Sequence, residues 1–294
     1  MEKFIDLHCH SSYSEGSCTV KELLAMAKAN NAKVFSITDH NVIAGVPELL
    51  KLAPKYGITA IPGVELYTRF HNRSFHLLGY NFDVNDPVLK KWLKSLQEDN
   101  EHNIRNSINQ LAKQGFKINA EAIFKLPANN YGAVHILQEI ERYPANVKKI
   151  SKELPSDRQG FFDKIDHYLG VGKPAHFPLS ELPIEEAIAI IKNSGGFTSL
   201  AHPGQQLTNQ FDEIIVDLSK HGLDAIEVLS PYHSWHQIEH YQYLALKNNL
   251  LITGGSDYHS DINFTKKELI VRQWDFFRVP FTVYQQLKKS IPNL

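Results

Sequence analysis

Apolar and polar positions along the chain alternate between two periods. "KFIDL" is a short apolar run, and "VKELLAMAKANN" repeats its apolar residues at helical spacing. "KVFSIT" reads as a strand, and "GVPELLKLAPKYG" as a helix stopped by glycine. "ITAIPGVEL" and "SFHLLGYNF" are strand-like and close enough to be neighbours. "IEEAIAIIKNSG" is a helix, "GFTSLAH" a strand, "FDEIIVDLSKHG" a helix and "LDAIEVLS" a strand. "WHQIEHYQYLALKNN" and "LLITGGSDYH" add a helix and a strand, and "FTKKELIVRQWDFFRVPFTVYQQLKKS" reads as a closing β/α unit. This alternation predicts βαβ units around a mainly parallel sheet or barrel.

The middle has a different pattern. From about Asn85 to Pro174 it is mostly helical, with "VLKKWLKSLQEDNEHNIRNSINQLAKQG" the longest piece. The expected organisation is therefore a discontinuous β/α domain, residues 1–84 and 175–294, interrupted by a helical insertion over 85–174. Lys148, Lys149 and Lys152 belong to that insertion and read as solvated helix surface.

Ligand-type residues collect where apolar runs end. His8 and His10 follow the first run, His40 ends "VFSITDH", and His202 ends "FTSLAH". Glu65 sits late in "AIPGVEL", His76 lies in "FHLLGY", and Asp257 and His259 end "LITGGSDYH". In parallel β/α architectures that edge is where active sites form. Side chains at i and i+2 of a strand share a face, so His8 and His10 point together with Cys9 opposite. Asp257 and His259 repeat the spacing if their strand runs that far. Such N/O sets suit Zn, Mn or Fe and need no thiolate.

Composition narrows the classes. The 294 residues are 43% hydrophobic and 21% charged, with net charge −1, so no overall basic field attracts nucleic acid or membrane. No run approaches the roughly 18 apolar residues of a membrane span. "MEKFIDLHCH" carries no signal-peptide pattern, and the two cysteines, Cys9 and Cys18, form no C-x-x-C motif. A cytoplasmic protein without disulfides is expected. The 15 histidines are the unusual figure.

"DLHCHSSYSEGS", "SITDHN", "IPGVEL", "FHLLGY", "SLAHPG" and "GSDYH" resemble, in order and spacing, the motifs of the PHP (polymerase and histidinol phosphatase) family of metal-dependent phosphoesterases. The helical insertion resembles one branch, which holds phosphatases of AMP and 3′,5′-nucleoside bisphosphates and 5′→3′ exonucleases of short RNA. The resemblance implies a distorted (β/α)7 barrel, a substrate-covering helical subdomain and two or three divalent ions (Mn, Zn or Fe). His8, His10, Glu65 and Asp257 would hold one ion; Glu65, His76 and His202 a second; Glu15, His40 and His259 a third. His8, His10, Glu65, His202 and Asp257 would carry catalysis. Relatives usually have aspartate where this chain has Glu15, whose extra methylene makes the third position an open question.

The implied chemistry is hydrolysis of phosphomonoesters of small nucleotides, or at the 5′ ends of short RNA, by a metal-bound hydroxide. Asp39 is expected to fix a ligating imidazole's tautomer, to play a structural part or to cap the following helix-like stretch. Arg69 and Arg73 are candidate phosphate grips. His135, in "YGAVHILQEI", matches a family segment written R-P-H-I-A, although Ala133 and Val134 replace the arginine and proline. It is a candidate substrate contact or a helix N-terminal histidine. Alternatives are a phosphatase for another small phosphoester, such as histidinol phosphate, and a non-catalytic metal-binding PHP module. No membrane and no obligate protein partner is expected.

Overall fold

The computed structural model describes residues 2–207, 212–260, 273–291 and 293–294. It divides into two compact units, residues 1–93 with 181–294, and residues 94–180.

Among the described residues the first unit carries ten short strands: β1 (Phe4–Asp6), β2 (Ala32–Phe35), β3 (Thr59–Ala60), β4 (Gly63–Phe70), β5 (Arg73–Tyr80), β6 (Leu182–Pro183), β7 (Phe197–Leu200), β8 (Ala225–Leu229), β9 (Leu251–Gly254) and β10 (Val279–Pro280). One sheet has the order β10-β1-β2-β3 and the other β6-β4-β5-β7-β8-β9. Two isolated parallel bridges, Cys9 to Tyr258 and His40 to Glu65, join the chain beyond β1 to that beyond β9, and the chain beyond β2 to β4. The fold is mixed α/β.

Pairing direction follows connection length. A helix crosses between β1 and β2, between β7 and β8, and between β8 and β9, and all three pairs are parallel. β4 and β5 are joined only by His71 and Asn72, both at positive φ (46° and 60°), the conformation of a tight hairpin turn. That pair is antiparallel, as is β5 with β7. The sheet is thus less uniformly parallel than the alternation of elements implied.

The helices are α1 (Val20–Ala29), α2 (Val46–Leu52), α3 (Pro87–Lys113), α4 (Ala120–Ile123), α5 (Ala133–Glu141), α6 (Pro144–Glu153), α7 (Phe161–Leu169), α8 (Ile184–Asn193), α9 (Pro203–Gln206), α10 (Asp212–Lys220), α11 (Trp235–Lys247), α12 (Gln273–Phe276) and α13 (Phe281–Ser290). α1 opens with a reciprocal cap, the Thr19 side chain on the Glu22 N–H and the Glu22 carboxylate on the Thr19 N–H. Its Val20, Leu23, Leu24 and Ala27 are buried with Cys9, Phe35, Ile37 and Trp274. Cys9 thus sits in the core, on the side away from the imidazoles flanking it. Of the closing β/α unit, Gln273–Ser290 supplies α12, β10 and α13, and β10 pairs antiparallel with β1; residues 264–272 lie outside the described residues.

The second unit is helical, with no strand among its described residues. Ile104, Ile108 and Leu111 on one stripe of α3 are buried with Ile136, Ile140, Ile150 and Tyr168. No helix among the described residues is long and apolar enough to cross a membrane.

Candidate metal centre

β1 stops at Asp6, and the chain continues extended, with Cys9 held by Tyr258. The alternation of sides persists, so His8 and His10 converge with ring centroids 5.3 Å apart. Both are fully buried. β9 also stops early, at Gly254. Asp257 reaches the cluster from a turn, with φ of 51°, and not from a continuing strand. Gly255 permits this approach, because a Cβ there would lie 2.3 Å from the His8 backbone nitrogen.

Glu65, in β4, is the hub. Its Oε2 lies 3.1 Å from His8 Nε2, 3.1 Å from His10 Nε2 and 3.2 Å from His40 Nδ1. Its Oε1 lies 2.8 Å from His76 Nδ1 and 3.2 Å from His202 Nε2. Asp257 Oδ1 lies 3.2 Å from His8 Nε2 and 3.0 Å from His10 Nε2. Despite these short separations, His8 Nε2, His10 Nε2, His40 Nδ1, Glu65 Oε2 and Asp257 Oδ1 are buried without a well-directed hydrogen bond. Buried polar atoms normally find partners, so atoms that crowd together without bonding one another mark a place for a cation. Among the described residues, three sets have their ligand-type atoms within 4.8 Å of one another: His8, His10, Glu65 and Asp257; His40, Glu65 and His76; and His10, His40 and His259. The residues fit divalent ions through imidazole nitrogen and carboxylate oxygen.

Electrostatics agree with the geometry. Burial works against the charged forms of His8 and His10, yet the adjoining carboxylates outweigh it; His8 is raised well above the usual histidine range and His10 to about 9. Burial likewise opposes ionisation of Glu65 and Asp257, but the imidazoles hold both below the usual carboxylate range. A field that retains protons on buried imidazoles also favours a cation in their place. Metal uptake at pH 7.5 is therefore expected to expel protons, and apparent affinity to fall as pH drops. Titration calorimetry in buffers of different ionisation enthalpy reads this directly; a heat independent of buffer would contradict it.

Glu15 lies near the cluster, where burial, together with Glu65 and Asp257, pushes its carboxyl up to about 7 against the opposing pull of His10. Its loop is tied down, with the Ser14 hydroxyl donating to Asp39 (2.6 Å) and the Gly16 N–H to the Ser11 carbonyl (3.0 Å). Among the described residues the third set takes His10 where the sequence suggested Glu15. Asp39 accepts from the Ser11 N–H, the Ser11 hydroxyl and the Ser14 hydroxyl. These bonds hold the loop between His10 and Glu15.

Arg69 and Arg73 sit on the outer half of the β4–β5 hairpin. At about 3.4 Å per residue, Arg69 is roughly 13 Å along the strand from Glu65. It pairs with Glu181. Arg73 lines a 410 Å³ surface pocket with His71, Glu213, Asp217 and Lys220. His135 is buried in the helical unit, where its Nδ1 accepts from the Gly132 N–H (3.0 Å) at the start of α5.

Two buried acids escaped the sequence reading. Asp6 accepts from the Ser256 N–H and hydroxyl and from the Trp274 indole, pinning the Asp257 turn to β1. Glu227, in β8, places Oε1 2.9 Å from His8 Nδ1 and Oε2 2.8 Å from the His202 backbone nitrogen. The available signal was an acid inside an apolar run, in "FIDL" and in "AIEVL".

Buried imidazoles and carboxylates gathered on β4 and β5 and just beyond the ends of neighbouring strands of an α/β fold form a centre suited to divalent ions. Residues 6–170 match the PHP domain family. A 5′-3′ exoribonuclease of Haemophilus influenzae is 31% identical over 261 residues, 88% of this chain and 91% of its own. A 3′,5′-nucleoside bisphosphate phosphatase of Chromobacterium violaceum is 27% identical, covering 87% of each chain. The solved structure of a Bifidobacterium adolescentis metal-dependent phosphoesterase shares the fold, with a TM-score of 0.74 and 20% identity over 100% of this chain and 98% of its own. The chain belongs to the PHP domain family and is a metal-dependent phosphoesterase.

Proposed function

We propose that the protein hydrolyses phosphoesters of small nucleotides or of the 5′ ends of short RNA. The reading rests on the convergence of unpartnered buried imidazole nitrogens on Glu65 Oε2, with His76 and His202 on its other oxygen. In this reading His8, His10, Glu65 Oε2 and Asp257 hold one divalent ion, Mn, Zn or Fe. Glu65 Oε1, His76 and His202 hold a second. Glu15, His40 and His259 hold a third.

Bound divalent ions supply an activated water and charge neutralisation for the phosphoryl oxygens. The chain's own residues position and orient. His76 and His259 have side chains 26% and 33% exposed, so substrate approaches on their side of the otherwise closed cluster. Tyr232, 44% exposed, sets its ring 6.0 Å from that of His202. The thiol and hydroxyls flanking His10 are otherwise engaged. Cys9 is buried in the core, and Ser11 and Ser14 are bonded to Asp39. A side-chain nucleophile has no part in the proposal.

The seven strands β1, β2, β4, β5, β7, β8 and β9 are read as a distorted (β/α)7 barrel, a reading supported by the two bridges that stitch the sheets at Cys9–Tyr258 and His40–Glu65. Nucleotide and RNA-end substrates are favoured by the two relatives, one named for each. Phosphate or nucleotide release from AMP, a 3′,5′-bisphosphate and a short 5′-phosphorylated RNA tests the choice. Turnover of at least one is expected in the presence of Mn; no turnover of any with Mn, Zn or Fe supplied would sink the reading.

A further inference from the structure

We propose that Glu227 is the positioning residue that binds the two main cation positions into one unit, an inference that rests on the ligand assignment above. Its carboxylate is fully buried in β8 and spends one oxygen on each half of the site. Oε1 lies 2.9 Å from His8 Nδ1. For His8 to present a lone pair at Nε2 towards Glu65 and Asp257, its proton must reside on Nδ1, and Glu227 is the acceptor that keeps it there.

The other oxygen, Oε2, accepts from the backbone N–H of His202 at 2.8 Å. His202 has φ of 25°, an unfavourable conformation for a residue with a side chain, and it precedes Pro203. Three further contacts brace this turn. The Gly204 N–H donates to His233 Nε2 (3.0 Å), His233 Nδ1 lies 2.8 Å from the Val228 carbonyl, and Gln206 Nε2 lies 3.2 Å from His202 Nδ1. The His8 and His202 rings consequently lie near parallel, with centroids 5.5 Å apart and planes 22° apart, while their Nε2 atoms reach opposite oxygens of Glu65.

Glu227→Gln separates this role from simple space filling. Glutamine has the same shape but only one acceptor oxygen, whereas His8 Nδ1–H and His202 N–H require two. If the oxygen stays at His8, an amide NH2 opposes the His202 N–H and the turn is displaced. If it turns to His202, the NH2 donates to His8 Nδ1 and drives the proton to Nε2, which blocks ligation. Either outcome impairs one cation position.

The experiment measures Mn content and affinity by elemental analysis and calorimetry, alongside melting in chelator. The expected result is a cooperative melting transition in chelator, which shows that the variant is folded, and affinity weakened about 10–100-fold, with one ion fewer per chain. Full stoichiometry at unchanged affinity would overturn the proposal. A second measurement needs no variant: the 15N imidazole spectrum of the Zn-loaded protein should show His8 protonated at Nδ1, and a proton at Nε2 would equally overturn it. Failure of the unsubstituted protein to bind any metal would instead overturn the ligand assignment itself.

Discussion

Glu65→Gln is expected to abolish phosphoesterase activity, lowering kcat/KM by about 10³-fold or more, and to strip the protein of metal. The substitution changes almost no volume, so the loss follows from charge and donor chemistry. Five imidazoles, those of His8, His10, His40, His76 and His202, lie 2.8–3.2 Å from the two oxygens of this one fully buried side chain. Glutamine removes the negative charge that all five share, and its NH2 turns a donor towards one group of lone pairs. Removing one partner of a buried charge pair commonly costs about 3–5 kcal/mol, which by itself corresponds to roughly 10²–10³·⁵ in an equilibrium constant. Here the same carboxylate serves both proposed cation positions, so the losses compound. Activity within tenfold of the unsubstituted protein, at normal metal content, would refute the placement of Glu65 at the centre.

Removal of metal by a chelator is the second large effect. Activity should vanish and return on adding Mn, Zn or Fe. The melting temperature should fall as well, because an ion present at about 1,000 times its Kd stabilises the folded state by about 4 kcal/mol. The size of that fall depends on pH. His10 in the metal-free protein holds its proton to about 9, above the ordinary histidine value of 6.5. A group raised on folding contributes stability that is fully present below its unfolded pKa and lost as pH rises through its folded pKa. The metal-free protein therefore loses this support between about pH 6.5 and 9, and the loaded protein, whose imidazoles are already deprotonated, does not. Melting curves with and without chelator at pH 6, 7.5 and 9 should show a gap that widens with pH. A gap that is constant or narrows would show that the imidazoles do not exchange protons for metal.

Much of the candidate site was legible because its chemistry is concentrated at the ends of apolar runs. Two histidines spaced i, i+2 at such an end must point together whenever the backbone is extended, and His8 and His10 do. The neighbouring strand-like segments around Glu65 and His76 pair as β4 and β5, with Tyr67 opposite His76. Less legible were residues whose role depends on distant partners. Glu227 stands 219 residues from His8, and nothing local in "AIEVL" reveals which imidazole it meets. Arg69 looked available because its eventual partner, Glu181, lies 112 residues away. Asp39 stands beside His40 in sequence, but its hydrogen bonds go to Ser11 and Ser14.

The sequence alone determined the α/β class, the helical character of the middle and the ligand-type residues of the site, since each is written in local periodicity and residue chemistry. Tertiary structure alone decided how the imidazoles share the oxygens of Glu65, that Asp257 arrives from a turn, and that His10 stands beside His40 and His259. The physical reason is that ligation requires atoms to meet within about 2–3 Å. That precision comes from packed loops and buried hydrogen bonds between strands far apart in the chain, which no local pattern encodes.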